Sequence, residues 1–131
     1  MRRRRAGPVR SKKVADNSDR KFRLRADQIK PVAVGYGGCF ATDMITVDGC
    51  GVSFMYRQEP EFKVDSGWRF FAGLESQEYL DNPDNITIYD VNTIANYDPD
   101  IIPLLEAPVG SAFERDGTTG EFVEMEFDAE D

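Results

Sequence analysis

The sequence predicts an α+β domain: an antiparallel β-sheet of about five strands, two or three short helices inserted in the middle of the chain, and a disordered basic arm in front. Three observations lead there. Alternating apolar segments broken by glycine-bearing turns occupy residues 37–73 and again 110–127. Helical spacing opened by aspartate lies between them, and residues 1–30 hold few large apolar side chains. A chain of 131 residues is about one domain's worth, so 31–131 is expected to be a single acidic domain with a real core and 1–30 its arm.

The charge divides at the same place. Residues 1–30 carry twelve Lys or Arg against three Asp, a net +9, while residues 31–131 carry four against twenty-one Asp or Glu, a net −17, which together give the −8 of the chain. The arm has too little apolar surface to offset the entropy of ordering it, and it is expected to be disordered at least to Lys21. Its two basic clusters, one from Arg2 to Lys13 and one from Arg20 to Arg25, suit a solvated tail lying back on the acidic body or a weak contact with nucleic acid. Phe22, Leu24 and Ile29 are placed to make a short element that docks on the domain.

Taken in order, residues 39–47 and 51–57 read as two strands of a hairpin, with Asp48-Gly49 supplying the positive-φ turn chemistry. Residues 58–64 contain Pro60, which cannot donate a ladder hydrogen bond, so the sheet pauses there. Residues 65–73 hold the only tryptophan and read as the central strand, Trp68 and Phe70 on one face, Arg69 and Phe71 on the other. Residues 75–80 form a short helix or turn stopped by Asn82-Pro83, Asp84-Asn85 a turn, and residues 86–89 a short strand. Asp90 caps a helix over 91–97, with Val91, Ile94 and Ala95 on its buried side, and Asp98 with Pro99 opens a second helical segment to about Leu105. Residues 110–115 and 121–127 flank the turn signal 116–120, a second hairpin whose last strand has one dry face and one acidic face.

Much chemistry is excluded. The chain contains no histidine, which removes imidazole bases and nucleophilic triads, and a thiolate mechanism needs an activating base that the sequence does not supply. Cys39 and Cys50 lie at opposite ends of the expected hairpin, about 25 Å apart, too far for a disulfide, so two free thiols and a cytoplasmic setting are expected. No apolar run approaches the roughly 20 residues of a membrane span, and the charged N-terminus lacks the apolar core of a secretory signal. Gly35-Tyr36-Gly37-Gly38 matches no phosphate loop, and Asp81, Asp84 and Asp90 lack the pattern of a calcium loop. No catalytic, cofactor or metal residue is assigned, and a non-enzymatic binding protein is expected.

Candidate partner-binding residues follow from residue type. Tyr56, Arg57, Asp65, Trp68 and Arg69 cluster on two strands, and Trp, Tyr and Arg dominate interface hot spots. Asn92 and Asn96 share a helix face beside Tyr97 and Asp98. Each has a structural alternative: Trp68 in the core, the arginines paired with Asp65 or Glu59, and the asparagines capping backbone groups.

Five blocks, residues 38–43 (GCFATD), 55–57 (MYR), 65–71 (DSGWRFF), 88–99 (IYDVNTIANYDP) and 108–115 (PVGSAFER), together resemble a bacterial family known as domain-of-unknown-function family 2185 and as immunity protein family thirty-three of polymorphic toxin systems. The resemblance covers about 37–126 and leaves the arm outside. It implies a cytoplasmic α+β protein that binds and neutralises a cognate toxin, and it brings no catalytic residues. Leu74, where the family usually has an acid, and the arginine-rich arm depart from the family pattern. An acidic surface steers a basic toxin, for example a nuclease. The alternative is a regulatory binding protein whose basic arm contacts nucleic acid.

Overall fold

A computed structural model of the chain describes residues 3–6 and 22–129. The strands are Arg3–Ala6 (β1), Gly38–Thr42 (β2), Phe54–Arg57 (β3), Asp65–Phe71 (β4), Ile86–Asp90 (β5), Ala112–Arg115 (β6), Phe122–Glu124 (β7) and Glu126–Ala129 (β8). The α-helices are Asp43–Thr46 (α1), Gln77–Asp81 (α2) and Val91–Tyr97 (α3), and 3-10 turns cover Ala26–Gln28, Pro83–Asn85 and Pro99–Leu104. β1 and β8 form a separate parallel pair; the other six make one sheet in the order β5-β2-β4-β3-β6-β7. Apart from those four residues of β1, the arm up to Lys21 lies outside the described residues.

β4 is central because both its faces are apolar. All seven of its residues are buried. Trp68 and Phe70 face the side covered by α1, α3 and the 99–104 turn, where Cys39, Met55, Ile45, Ile94, Ile101 and Leu105 join them. Phe71 faces the opposite side with Phe40, Phe54, Tyr56, Ile86 and Ala112. This is the alternation expected of residues 65–73, and it makes the sheet the wall between two cores.

The middle and end of the chain follow their local signals. Ser76 caps α2 by accepting from the Tyr79 N–H, Asp90 caps α3 through Asn92, and Asp98 caps the 99–104 turn through Asp100. Val91, Ile94 and Ala95 are the buried residues of α3. β6 and β7 pair antiparallel around the 116–120 turn. Beyond β7, Met125 is buried and the chain leaves the main sheet as β8.

The hairpin expected from 39–57 does not form. β2 lies between β4 and β5, so no place remains beside it for β3, which pairs instead with β4 and β6. After Thr42 the chain turns into α1, whose Ile45 and Thr46 are buried. Gly49 does take a positive φ of 79°, but it ends this helix, its N–H donating to the Ile45 carbonyl at 3.2 Å. The sheet is therefore mixed rather than purely antiparallel, because β2 reaches β4 through α1 and β3 and runs parallel to it. Cys39 and Cys50 are both free thiols, Cys39 buried and Cys50 half-buried, without the hairpin that was to separate them.

Gly67 is the conformational hinge of β4. Its φ is 92°, and a Cβ there would collide with the Gln58 carbonyl oxygen, whose residue donates its own N–H to the Gly67 carbonyl at 2.9 Å. Gly67→Ala is expected to lower unfolding stability by about 2 kcal/mol or more, read as a drop in urea midpoint, while Gly117→Ala in the open 116–120 turn leaves it unchanged. Equal midpoints for the two variants would contradict this account of β4.

Candidate functional site

The polar residues singled out in the sequence fall into three clusters, each built by a different irregularity of the chain. The first lies at the start of β4. Register runs from Gly38 opposite Asp65 to Phe40 opposite Arg69, so two steps on β2 face four on β4. Those extra residues form a bulge around Gly67 that folds Asp65 back onto Arg69.

Arg69 has no exposed surface. Its two terminal nitrogens bind the two Asp65 oxygens at 2.9 and 2.8 Å, one also donates to the Trp68 carbonyl at 2.9 Å, and Glu61 stands 3.6 Å away. The guanidinium carbon sits 4.5 Å from the centre of the Phe40 ring. Asp65 accepts two further bonds, from the Glu61 and Gly67 N–H groups, both at 2.8 Å. Burial pushes the Asp65 carboxyl upward, but the Arg69 guanidinium and the two N–H groups outweigh it and hold the carboxyl below its ordinary 3.8.

Trp68 is fully buried and donates from its indole N–H to the Leu105 carbonyl at 3.3 Å. Tyr56 is buried and stacked on Phe71 with ring centres 5.8 Å apart, and burial pushes its hydroxyl up to about 12. Arg57, half-buried, donates to the carbonyls of Ser66 at 2.8 Å and Ala107 at 2.7 Å and lies 5.7 Å from the Trp68 ring centre. It ties β3 to the loop before β6.

The second cluster centres on Asp98. One of its oxygens accepts from the Val52 N–H and from Arg115, both at 2.8 Å, and the other caps Asp100. Arg115 also reaches Asp100 at 3.1 Å, the Gly120 carbonyl at 2.6 Å, and the face of Phe122. The third cluster holds a strap, residues 22–33, across α3. The Asn92 side-chain oxygen accepts from the Val32 and Ala33 N–H groups at 2.8 Å, while its amide donates to the Lys30 carbonyl. Asn96 accepts from the Lys30 backbone N–H and donates to its carbonyl, and the Tyr97 hydroxyl accepts from the Leu24 N–H at 3.0 Å. Phe22 meets Tyr89 edge to face, so the 22–29 element docks as expected.

The nine candidates are thus not one surface. Tyr56, Asp65, Trp68, Arg69 and Asp98 are buried, and Arg57, Asn92, Asn96 and Tyr97 are half-buried against their own chain. Glu75 was not singled out, yet it accepts from the Thr42 hydroxyl and from the Ala72 and Gly73 N–H groups, closing the loop after β4. Its signal was an acid two residues after a turn glycine. Among the described residues no group of three His, Cys, Asp or Glu is arranged to hold a metal ion, and no helix is long and apolar enough to cross a membrane.

These clusters define a small α+β scaffold whose internal charges fix strand register and loop position. The Immunity protein Imm33 domain matches residues 39–126, and the chain belongs to that family. Membership makes it an immunity-type protein, whose partner in general terms is a toxin. No curated protein and no solved structure matches the chain.

Two measurements probe the clusters. The depressed Asp65 carboxyl contributes stability that is present above its unfolded value of about 4 and lost as pH falls through the folded value. Asp65→Asn, which strands the buried Arg69 charge, is expected to be less stable than wild type by about 3–5 kcal/mol at neutral pH. That gap should narrow as pH drops from 5 to 2, because only wild type loses this ion pair; a gap independent of pH would contradict an ionised Asp65. In the strap, Asn92→Ala removes the acceptor of two backbone donors. Amide exchange at Val32 and Ala33 should accelerate about tenfold or more, while β4 amides exchange as before. Unchanged rates at Val32 and Ala33 would show that Asn92 does not hold the strap.

Proposed function

We propose that the chain is a non-enzymatic immunity protein that binds and neutralises a cognate basic toxin through its acidic surface. The observation that carries this reading is the distribution of charge in the folded body. Of the four Lys or Arg in residues 31–131, Arg69 is buried on Asp65, Arg115 is engaged by Asp98 and Asp100, and Arg57 is turned onto backbone carbonyls. Lys63 is exposed, as are Arg23, Arg25 and Lys30 of the strap. Against them stand exposed carboxylates, among them Asp48, Glu59, Glu78, Asp81, Glu106 and Glu121. All three arginines of residues 31–131 are used internally, while many of the anions face water. A surface of this kind attracts a polycationic partner, raises its association rate and repels polyanions. The match to an immunity family supports the same reading, as does a chain without histidine.

A second reading rests on the arm, whose net +9 suits a polyanion. The two separate experimentally. Partners are captured from the native bacterium on the full chain and on a chain lacking residues 1–21, and association is followed at low and high salt. Under the immunity reading both chains retain a basic protein, and its association slows about tenfold or more between roughly 50 and 500 mM salt. A rate flat across that range contradicts electrostatic steering. Retention of nucleic acid alone, lost with residues 1–21, supports the second reading instead.

A further inference from the structure

We propose that the toxin is received at the end of the sheet where β2 and β4 begin, on an apolar loop cluster rimmed by carboxylates; this rests on the immunity reading above. The pairing pattern brings the starts of β2, β4 and β6 and the ends of β3 and β5 to that one end. The loops that emerge there, 31–37, 58–64 and 107–111, are stitched to one another and to their strands. The Gly38 N–H donates to the Val64 carbonyl at 2.7 Å, the Gly110 N–H to the Arg57 carbonyl at 2.7 Å, and the Val91 N–H to the Gly37 carbonyl at 2.9 Å. The Tyr36 hydroxyl donates to Glu106 at 2.6 Å, tying the first loop to the residue that precedes the third.

These loops carry most of the exposed large apolar side chains. Six such residues are exposed among those described, and four of them are here: Val32, Val34, Val64 and Val109, with Val34 and Val64 each about two-thirds accessible at 65% and 66%. Of the other two, Leu74 lies at the opposite end of the sheet and Val123 on the β7 edge. Single exposed valines need no explanation, but four on three interlocked loops are the composition of a contact surface.

The loops are also held in place before any partner arrives. Gly37 has a φ of 100°, and a Cβ there would strike the Val64 carbonyl, so the first loop and the second approach each other backbone to backbone. Such preorganisation reduces the ordering entropy lost on binding. Glu59, Glu61, Asp90 and Glu106 are exposed on or next to this end of the sheet, against the exposed Lys30 and Lys63. The complementary partner is a protein presenting an apolar side chain flanked by Lys or Arg, which matches a basic toxin and not a polyanion.

The test uses the full chain in the native bacterium with a photo-reactive phenylalanine analogue at position 34, 64, 74 or 123. Proteins joined on irradiation are identified and then expressed alone and together with this chain. The expected result is an adduct from positions 34 and 64, at least tenfold weaker from 74 and 123, to a basic protein that arrests growth and is silenced by this chain. An adduct to such a protein from 74 or 123 alone overturns the site and leaves the immunity reading standing. An adduct only between two copies of this chain overturns the toxin as occupant. If no position yields a growth-arresting protein, the site fails; the immunity reading fails with it only if the full chain also captures no such protein without irradiation.

Discussion

The Arg69 side chain has no exposed surface, and several features of the fold make that tolerable. Stripping water from such an ion is worth several kcal/mol against folding unless its donors are met. Asp65 meets two of them in a paired, bidentate contact, the Trp68 carbonyl shares one, and the Phe40 ring lies against the cation. Bringing Asp65 back to Arg69 needs extra residues in β4, and those residues need the left-handed turn at Gly67. The same bulge sets the Ser66 hydroxyl on the Gly38 carbonyl and the Ser66 carbonyl on Arg57. One buried charge thereby fixes the register of β2, β3 and β4, and with it which core receives Trp68 and which receives Phe71.

What the sequence could and could not convey follows from the range of the interactions. The caps at Asp90 and Asp98, the 116–120 turn and the two-faced pattern of residues 65–73 are local, and local chemistry suffices to read them. Asp48-Gly49 is local as well, but the same positive-φ glycine ends a helix or turns a hairpin, and the choice is made by β4 and β5 occupying both edges of β2. Nothing within residues 39–57 records that. The nine candidates lie in three separate clusters for a related reason. Tyr, Trp and Arg are favoured in interface hot spots for their large, partly apolar surfaces, and those surfaces serve equally well in a core. The asparagines of α3 were recognisable as backbone binders; that their client is residues 30–33 of the same chain was not. The exposed valines lie in loops without periodicity, so only the folded arrangement brings them to one end of the sheet.

The match to the immunity family spans 39–126, whereas the strap of residues 22–33 lies before it. Yet the strap is joined to the family core by Asn92, Asn96, Tyr97 and Tyr89. The strap thus carries Arg23, Arg25 and Lys30, which belong to the basic side of the charge division, onto the folded body. Within the family core the three arginines are engaged by the chain itself, Arg69 and Arg115 by aspartates and Arg57 by backbone carbonyls.

The strap also fixes where the basic N-terminal segment joins the body. Because Phe22 and Leu24 are held against Tyr89 and Tyr97, residues 1–21, with nine Lys or Arg against two Asp, are rooted at a fixed point on an acidic body. The basic segment and the family core are thereby joined at α3 and β5, so a change at Asn92, Asn96 or Tyr97 loosens both the strap and the point at which residues 1–21 are attached.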